Sequence, residues 1–159
     1  MADSVRELIL KNIKTTLEGV TVVNGYANTL ASVQRFLQPG QTLASVPMVL
    51  VLEGEDDATQ GPLSGAYGLT SRTLNVGLMI LARQDMATAT VSASEAMNSL
   101  IADVQKVLQV APTRGGYAVD TQEISVSPIE ANEGMTELAC TLAYSITYRH
   151  RRDDPTIAG

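Results

Sequence analysis

From residue 4 onward, apolar side chains recur with a helical period. Val5, Leu8, Ile9, Ile13 and Leu17 fall on one face, while Arg6, Lys11, Lys14 and Glu18 lie mainly elsewhere. Ser4 followed three residues later by Glu7 has the form of a capping box, and Gly19 is a stop signal. The pattern predicts an amphipathic helix over residues 4–18. A second one follows Ser92, where Ser92 and Glu95 repeat the capping spacing. Ala93, Met97, Leu100, Ile101, Val104, Val107 and Leu108 form its stripe, and Ala111-Pro112-Thr113-Arg114-Gly115-Gly116 ends it.

Elsewhere the period falls to two, or the residues are continuously apolar. Residues 20–23 are apolar and β-branched, and Asn24-Gly25 supplies a turn able to take positive φ. Residues 28–37 are compatible with a strand ended by Gln38-Pro39-Gly40. Pro47 introduces Met48-Val49-Leu50-Val51-Leu52, a run too short for a typical helix and suited to a strand covered on both faces. Residues 53–68, rich in Gly, Asp, Ser and Pro, read as a long connection, the kind of loop that is often functional. From Leu69, Leu74, Val76, Leu78, Ile80 and Ala82 alternate with Thr73, Asn75, Gly77, Met79 and Leu81, which predicts a long strand. Residues 117–126 read as a weaker strand and 128–134 as a polar loop. In the last strand, Leu138, Cys140, Leu142, Tyr144, Ile146 and Tyr148 alternate with Glu137 and a set of small or polar residues, so only one sheet face is thickly covered.

The order is helix, two or three strands, helix, two strands. It predicts an α+β fold: a mixed, mainly antiparallel sheet with both amphipathic helices on one face, leaving the other face free for a partner or another subunit. The 159 residues suit one domain, here residues 1–152, with residues 153–159 as a short flexible tail. An apolar share of 45% is enough to build a core. The net charge of −6 argues against general polyanion binding. No apolar run approaches a bilayer span, and acids stand near the N-terminus where a signal peptide needs bases, so no membrane partner is expected. A single cysteine excludes an internal disulfide and fits a reducing compartment.

Few residues carry candidate chemistry. His150, the only histidine, lies among arginines at the chain end, a poor place for a general base. Cys140 falls mid-strand on the apolar face, as a small buried thiol would. Gly61, Gly65 and Gly68 are too irregular for a phosphate cradle, and no Gly-Lys-Ser/Thr follows them. The densest acids are Glu53, Glu55, Asp56 and Asp57, without the spacing of a calcium loop. They read as a solvated loop, as charges repelling DNA from a lumen, or as a surface for a basic partner. The densest bases, Arg149, Arg151 and Arg152, are offset by Asp153 and Asp154, and fit an intersubunit salt bridge better than nucleic-acid recognition. With no tryptophan and 4% aromatic residues, base stacking is disfavoured. No catalytic, cofactor-binding or metal-ligating set is expected, and these seven charged residues are the interface candidates.

Three strings carry a resemblance: Leu10-Lys11-Asn12-Ile13-Lys14-Thr15-Thr16-Leu17-Glu18-Gly19, Ala111-Pro112-Thr113-Arg114-Gly115-Gly116, and Tyr148-Arg149-His150 with Asp154-Pro155. Over nearly the whole chain this arrangement resembles the tail terminator (tail-completion) proteins of long-tailed bacteriophages. The resemblance implies a non-enzymatic, cofactor-free α+β subunit that forms a homo-oligomeric ring, typically a hexamer. Such a ring sits on the last ring of tail tube protein, stops polymerisation, and presents a surface to the head-completion or neck protein. Genomic DNA would pass through its lumen without sequence-specific binding. It implies a place at the head-proximal end of the virion tail, and in the host cytoplasm during assembly. A head–tail connector and, from another class, a small ligand-binding protein with residues 53–68 as a lid are the competing readings.

Overall fold

In the computed structural model, which describes residues 2–35, 45–59, 68–131 and 137–159, the first helix is α1 (Val5–Glu18). Ser4 caps it, its hydroxyl accepting from the Glu7 N–H at 3.2 Å. The reciprocal half of the capping box is not made, because the Glu7 carboxylate reaches Arg35 instead. The buried stripe is Val5, Ile9, Leu10, Ile13 and Leu17, so Leu10 replaces the expected Leu8, which is only half-buried. Residues 20–23 do not form a strand. Val20 is buried, and Val22–Asn24 make one tight 3-10 turn that closes on Gly25 at φ 85°. The second helix, α2 (Ala93–Val110), has the full capping box expected between Ser92 and Glu95.

Six strands form one open sheet: β1 (Ser32–Gln34), β2 (Met48–Thr59), β3 (Leu69–Arg83), β4 (Ala118–Val126), β5 (Glu130–Ala131) and β6 (Glu137–Arg151). The order is β1-β2-β3-β6-β4, with β5 also paired to β6. Only β1 and β2 are parallel; the other pairings are antiparallel. The fold is therefore α+β with a mixed, mostly antiparallel sheet. The expected loop over 128–134 contains β5 in its described part, and residues 132–134 lie outside it. Residues 36–40, named above for a strand end and its turn, also lie outside the described residues.

Alternation along β3 and β6 decides which side the helices cover. Leu74, Val76, Leu78 and Ile80 pair with Ile146, Tyr144, Leu142 and Cys140, and all are buried under the two helices in a single core. Burying a large apolar side chain contributes about 1.5–3 kcal/mol, so this one face accounts for most of the driving force. Met48, Val49, Leu50 and Val51 are all buried, as a strand covered on both faces requires.

The expected connection over residues 53–68 is strand as far as Thr59, and residues 60–67 lie outside the described residues. A β-bulge interrupts this strand: Glu53 pairs with Val76, yet the next partner of β3, Leu74, is Asp56. Gly54 permits it, since a Cβ there would lie 2.8 Å from the Asn75 carbonyl oxygen. Beyond the bulge most of β2 is exposed, so polar residues replace the apolar alternation that marks a buried strand.

The closing segment, expected as a flexible tail, turns back on the domain. Val5 N–H donates to the Pro155 carbonyl at 2.9 Å, satisfying an orphan donor at the start of α1. Arg151 N–H donates to Ile157 O and Gly159 N–H to Arg149 O, so the chain end lies along β6 just past Ala118, the first residue of β4.

Candidate interaction surfaces

The bulge gives the four acids of β2 two different fates. A strand turns successive residues to opposite faces, and one inserted residue reverses that parity. Glu53 and Asp56 would otherwise point to opposite sides; opposite Val76 and Leu74, both face the helices. There they meet three arginines from three elements. Arg35, just beyond β1, grips Glu7 of α1 with two bonds at 2.6 and 3.0 Å, and reaches Glu53 at 2.7 Å. Arg6 of α1 lies 3.2 Å from Glu53 and 3.3 Å from Asp56. Arg72 of β3 donates to the Asp56 carboxylate at 2.8 Å and to its carbonyl at 2.6 Å. The Tyr148 hydroxyl completes the shell, donating to the other Asp56 oxygen at 2.8 Å.

This continuous chain of ion pairs ties α1 to β1, β2, β3 and β6. The hydrogen bond from Arg35 holds the Glu7 carboxyl below its usual range, and the bond Arg72 donates to Asp56 pushes the Arg72 pKa up. Burial, then the bond to Asp56, pushes the Tyr148 phenol up. A surface cavity of 300 Å³ opens beside the network, lined by Ser4, Arg6, Asp56, Arg72, Tyr148, His150 and Pro155. Glu53 and Asp56 are thus committed inside the subunit, whereas Glu55 and Asp57 are exposed.

The basic candidates lie at the far end of β6. Arg149 and Arg152 are exposed, and Arg151 pairs with Asp153 at 2.7 Å. Register places Arg149 opposite Ser71, and Asp57 opposite Thr73 on the other edge of β3. Both lie on the face away from the helices with a whole strand between them, roughly 10 Å at the usual spacing. Asp57 and Arg149 therefore do not meet within one chain, and the intersubunit salt bridge expected of the basic stretch would have to come from another copy.

The helices leave that outer face uncovered along the middle of β3 and β6. Across its middle runs the row Leu52, Gly77, Ala143, in which two small residues follow a half-exposed leucine. The result is a trough of 240 Å³, with exposed Ile124 of β4 at its other side. Both sheet edges are open as well: among the described residues, β2 beyond Leu50 and the outer side of β4 have no strand partner.

Two further polar clusters are internal. Asp103 of α2 is buried and accepts from the Ala27 and Asn28 backbone and from the Asn28 side chain, fastening the loop after α1 to α2. Glu123 accepts from Gln105 and Tyr144, joining α2, β4 and β6. Arg114, at φ 50° in the turn after α2, is 0% exposed. One of its nitrogens donates to the Leu108 carbonyl at the end of α2, while Nε and Nη1 have no partner among the described residues. Burial pushes its pKa down. Cys140 is buried against the Ser127 carbonyl at 3.2 Å, and burial raises its pKa. His150 holds the Arg151 carbonyl at 2.7 Å and packs beside the Tyr148 ring. Among the described residues no three His, Cys, Asp or Glu side chains converge to hold a metal ion.

Sequence reasoning missed Arg6, Arg35 and Arg72. They are scattered over three separate segments, and only the bulge brings Glu53 and Asp56 to the same face. Gly54 between two acids was the one available signal. No protein-family model matches the chain, and no curated protein matches it in sequence.

Proposed function

We propose that this protein is a structural subunit that caps a bacteriophage tail tube as a closed ring of identical copies and offers the neck of the head a docking surface. The observation that carries the reading is the division of surfaces just described. One side of the sheet is consumed by core and ion pairs; on the other, the middle of β3 and β6 presents small and polar side chains that neither helix covers, while Met48, Leu50 and Leu81 at one end of that face are buried. Such a subunit has a face for docking. The likeness of its three strings to tail terminators adds the biological setting.

Physically, tube growth is head-to-tail association, open along its axis and closed around it. A terminator presents the contact that binds the last tube ring and lacks the contact that recruits another. Around the cap, each copy meets its neighbours through two different patches that close by rotation. Glu55, Asp57, Arg149 and Arg152, exposed and outside the ion-pair network, are the charges left to set register between copies, and such pairs tune specificity more than affinity.

The test is electron microscopy of tails assembled with and without the protein. Overlong tubes in its absence support the reading. Tubes of normal length that still join heads refute it.

A further inference from the structure

We infer that copies of this chain join through a knob and a trough: the Val22–Val23 tip of one copy enters the Leu52–Gly77–Ala143 trough of the next. The inference deepens the ring reading above and rests on it. The knob is conspicuous because it is both apolar and stiff. Val23 is 94% exposed and Val22 59%. Yet the turn that carries them is tied down on every side. Thr21 caps it, the Asn24 side chain donates to Gly19 O at 2.8 Å, and Val22 N–H donates to the Thr29 hydroxyl at 3.0 Å. Asp103 anchors the chain just beyond it. A tip already ordered loses little conformational entropy on docking, which lowers the cost of association.

The trough offers matching chemistry. Its 240 Å³ equals the share of about eight waters, enough to take a branched side chain. Gly77 and Ala143 form its floor and Leu52 one wall. Charge agrees with this pairing. Exposed Lys106 sits over the Tyr26 ring of the same turn at 5.3 Å, so the knob is flanked by a cation. Exposed Glu55 and Asp57 follow Leu52 along β2, so the trough is flanked by acids.

The knob belongs to the helix layer and the trough to the opposite face of the sheet. One chain cannot satisfy its own trough, and patches on opposite faces cannot both meet one partner, as the isologous contact of a two-fold dimer requires. The contact is heterologous, as ring closure requires.

Heterologous contacts have a distinctive test. Val23→Asp spoils the knob and keeps the trough; Gly77→Val fills the trough and keeps the knob. Val23 touches solvent, and a Cβ on Gly77 meets Leu52 at 3.4 Å without a backbone clash. Thermal melts confirm that each variant folds. Sedimentation velocity of the full chain up to millimolar concentration is then expected to show assembly of the wild type. Each variant alone associates at least about tenfold more weakly, the scale of one lost apolar anchor. An equimolar mixture gives a two-chain species and nothing larger. Lys106→Glu weakens assembly several-fold at low salt, and Asp57→Lys in the same chain restores it. Variants that assemble like the wild type, or a mixture that stays monomeric, overturn the contact and leave the capping function intact. A wild-type chain that is monomeric at millimolar concentration also overturns it, while the capping reading stands or falls separately on tube length.

Discussion

Asp103 gives the sharpest check on how the helix layer is held. It is a buried carboxylate facing three donors: Ala27 N–H at 3.3 Å, Asn28 N–H at 2.8 Å and the Asn28 side-chain amide at 2.8 Å. Asp103→Ala removes the acceptor and leaves those donors to find water in a half-buried loop. A hydrogen bond to a charged group contributes about 1.5–3 kcal/mol, and three bonds to one carboxylate are not additive, so the expected loss is about 3 kcal/mol. In a domain of this size each kcal/mol moves the midpoint by roughly 2–4 °C, which places the variant about 6–12 °C below the wild type. Asp103→Asn keeps an acceptor oxygen but turns an amide toward donors, and should fall between the two. Thermal melts give the global value. Amide exchange gives the local one: Ala27 and Asn28 should lose protection before the interior of α2 does. A variant melting within about 2 °C of the wild type, with both amides still protected, would refute the assignment.

Other expectations follow from the remaining polar groups. Arg114→Met should raise stability by about 1 kcal/mol in urea denaturation, because two unpaired buried donors outweigh one bond to the Leu108 carbonyl; a loss of that size would show the guanidinium to be compensated. Because Arg35 lowers the Glu7 pKa, its contribution is complete above the ordinary value of 4.5 and is lost as pH falls through the folded value. Urea midpoints of the wild type should therefore drop in acid more steeply than those of Glu7→Gln; parallel profiles would remove Glu7 from the account. Tyr144 and Tyr148 have raised pKa values, so their contribution is full below the usual phenol value of 10 and is lost as pH rises above it. Ultraviolet titration should show these two of the five tyrosines ionising together with unfolding, and early ionisation of all five would contradict their burial.

Wherever one side of an element met the core, its place was legible in the sequence. Both helices, the alternation of β3 and β6 and the doubly covered start of β2 follow from apolar spacing alone, because burial is what creates the period. The second half of β2 was illegible for the same reason. It leaves the core at Leu52, so Glu53 to Thr59 carry the composition of a loop while keeping the hydrogen bonds of a strand. Residues 20–23 erred in the other direction. Their β-branched valines suggest a strand, but Thr21, Asn24 and Gly25 make a capped turn, and Val22 and Val23 point to solvent. Among the candidate residues the sequence singled out the acids as a cluster but set them in a loop and could not assign their partners, since the arginines that hold Glu53 and Asp56 come from α1, the end of β1, and β3.

One inserted residue decides how this chain divides its charge. With regular alternation, Glu53 and Glu55 would share one face, and Asp56 and Asp57 would again be split. The bulge at Gly54 instead groups Glu53 with Asp56 against three arginines and leaves Glu55 and Asp57 in solvent. The inward pair is neutralised inside the fold and braces α1 against four strands. The outward pair keeps its charge, beside the trough. For the docking subunit proposed above, both halves would matter: a braced sheet would present its outer face in one shape, and the two exposed acids at a known register would reject a misaligned neighbour, which like-charge contact penalises by several kcal/mol. Gly54 is thus the residue through which a local backbone irregularity acts on both the rigidity of the subunit and the charge pattern it offers to others.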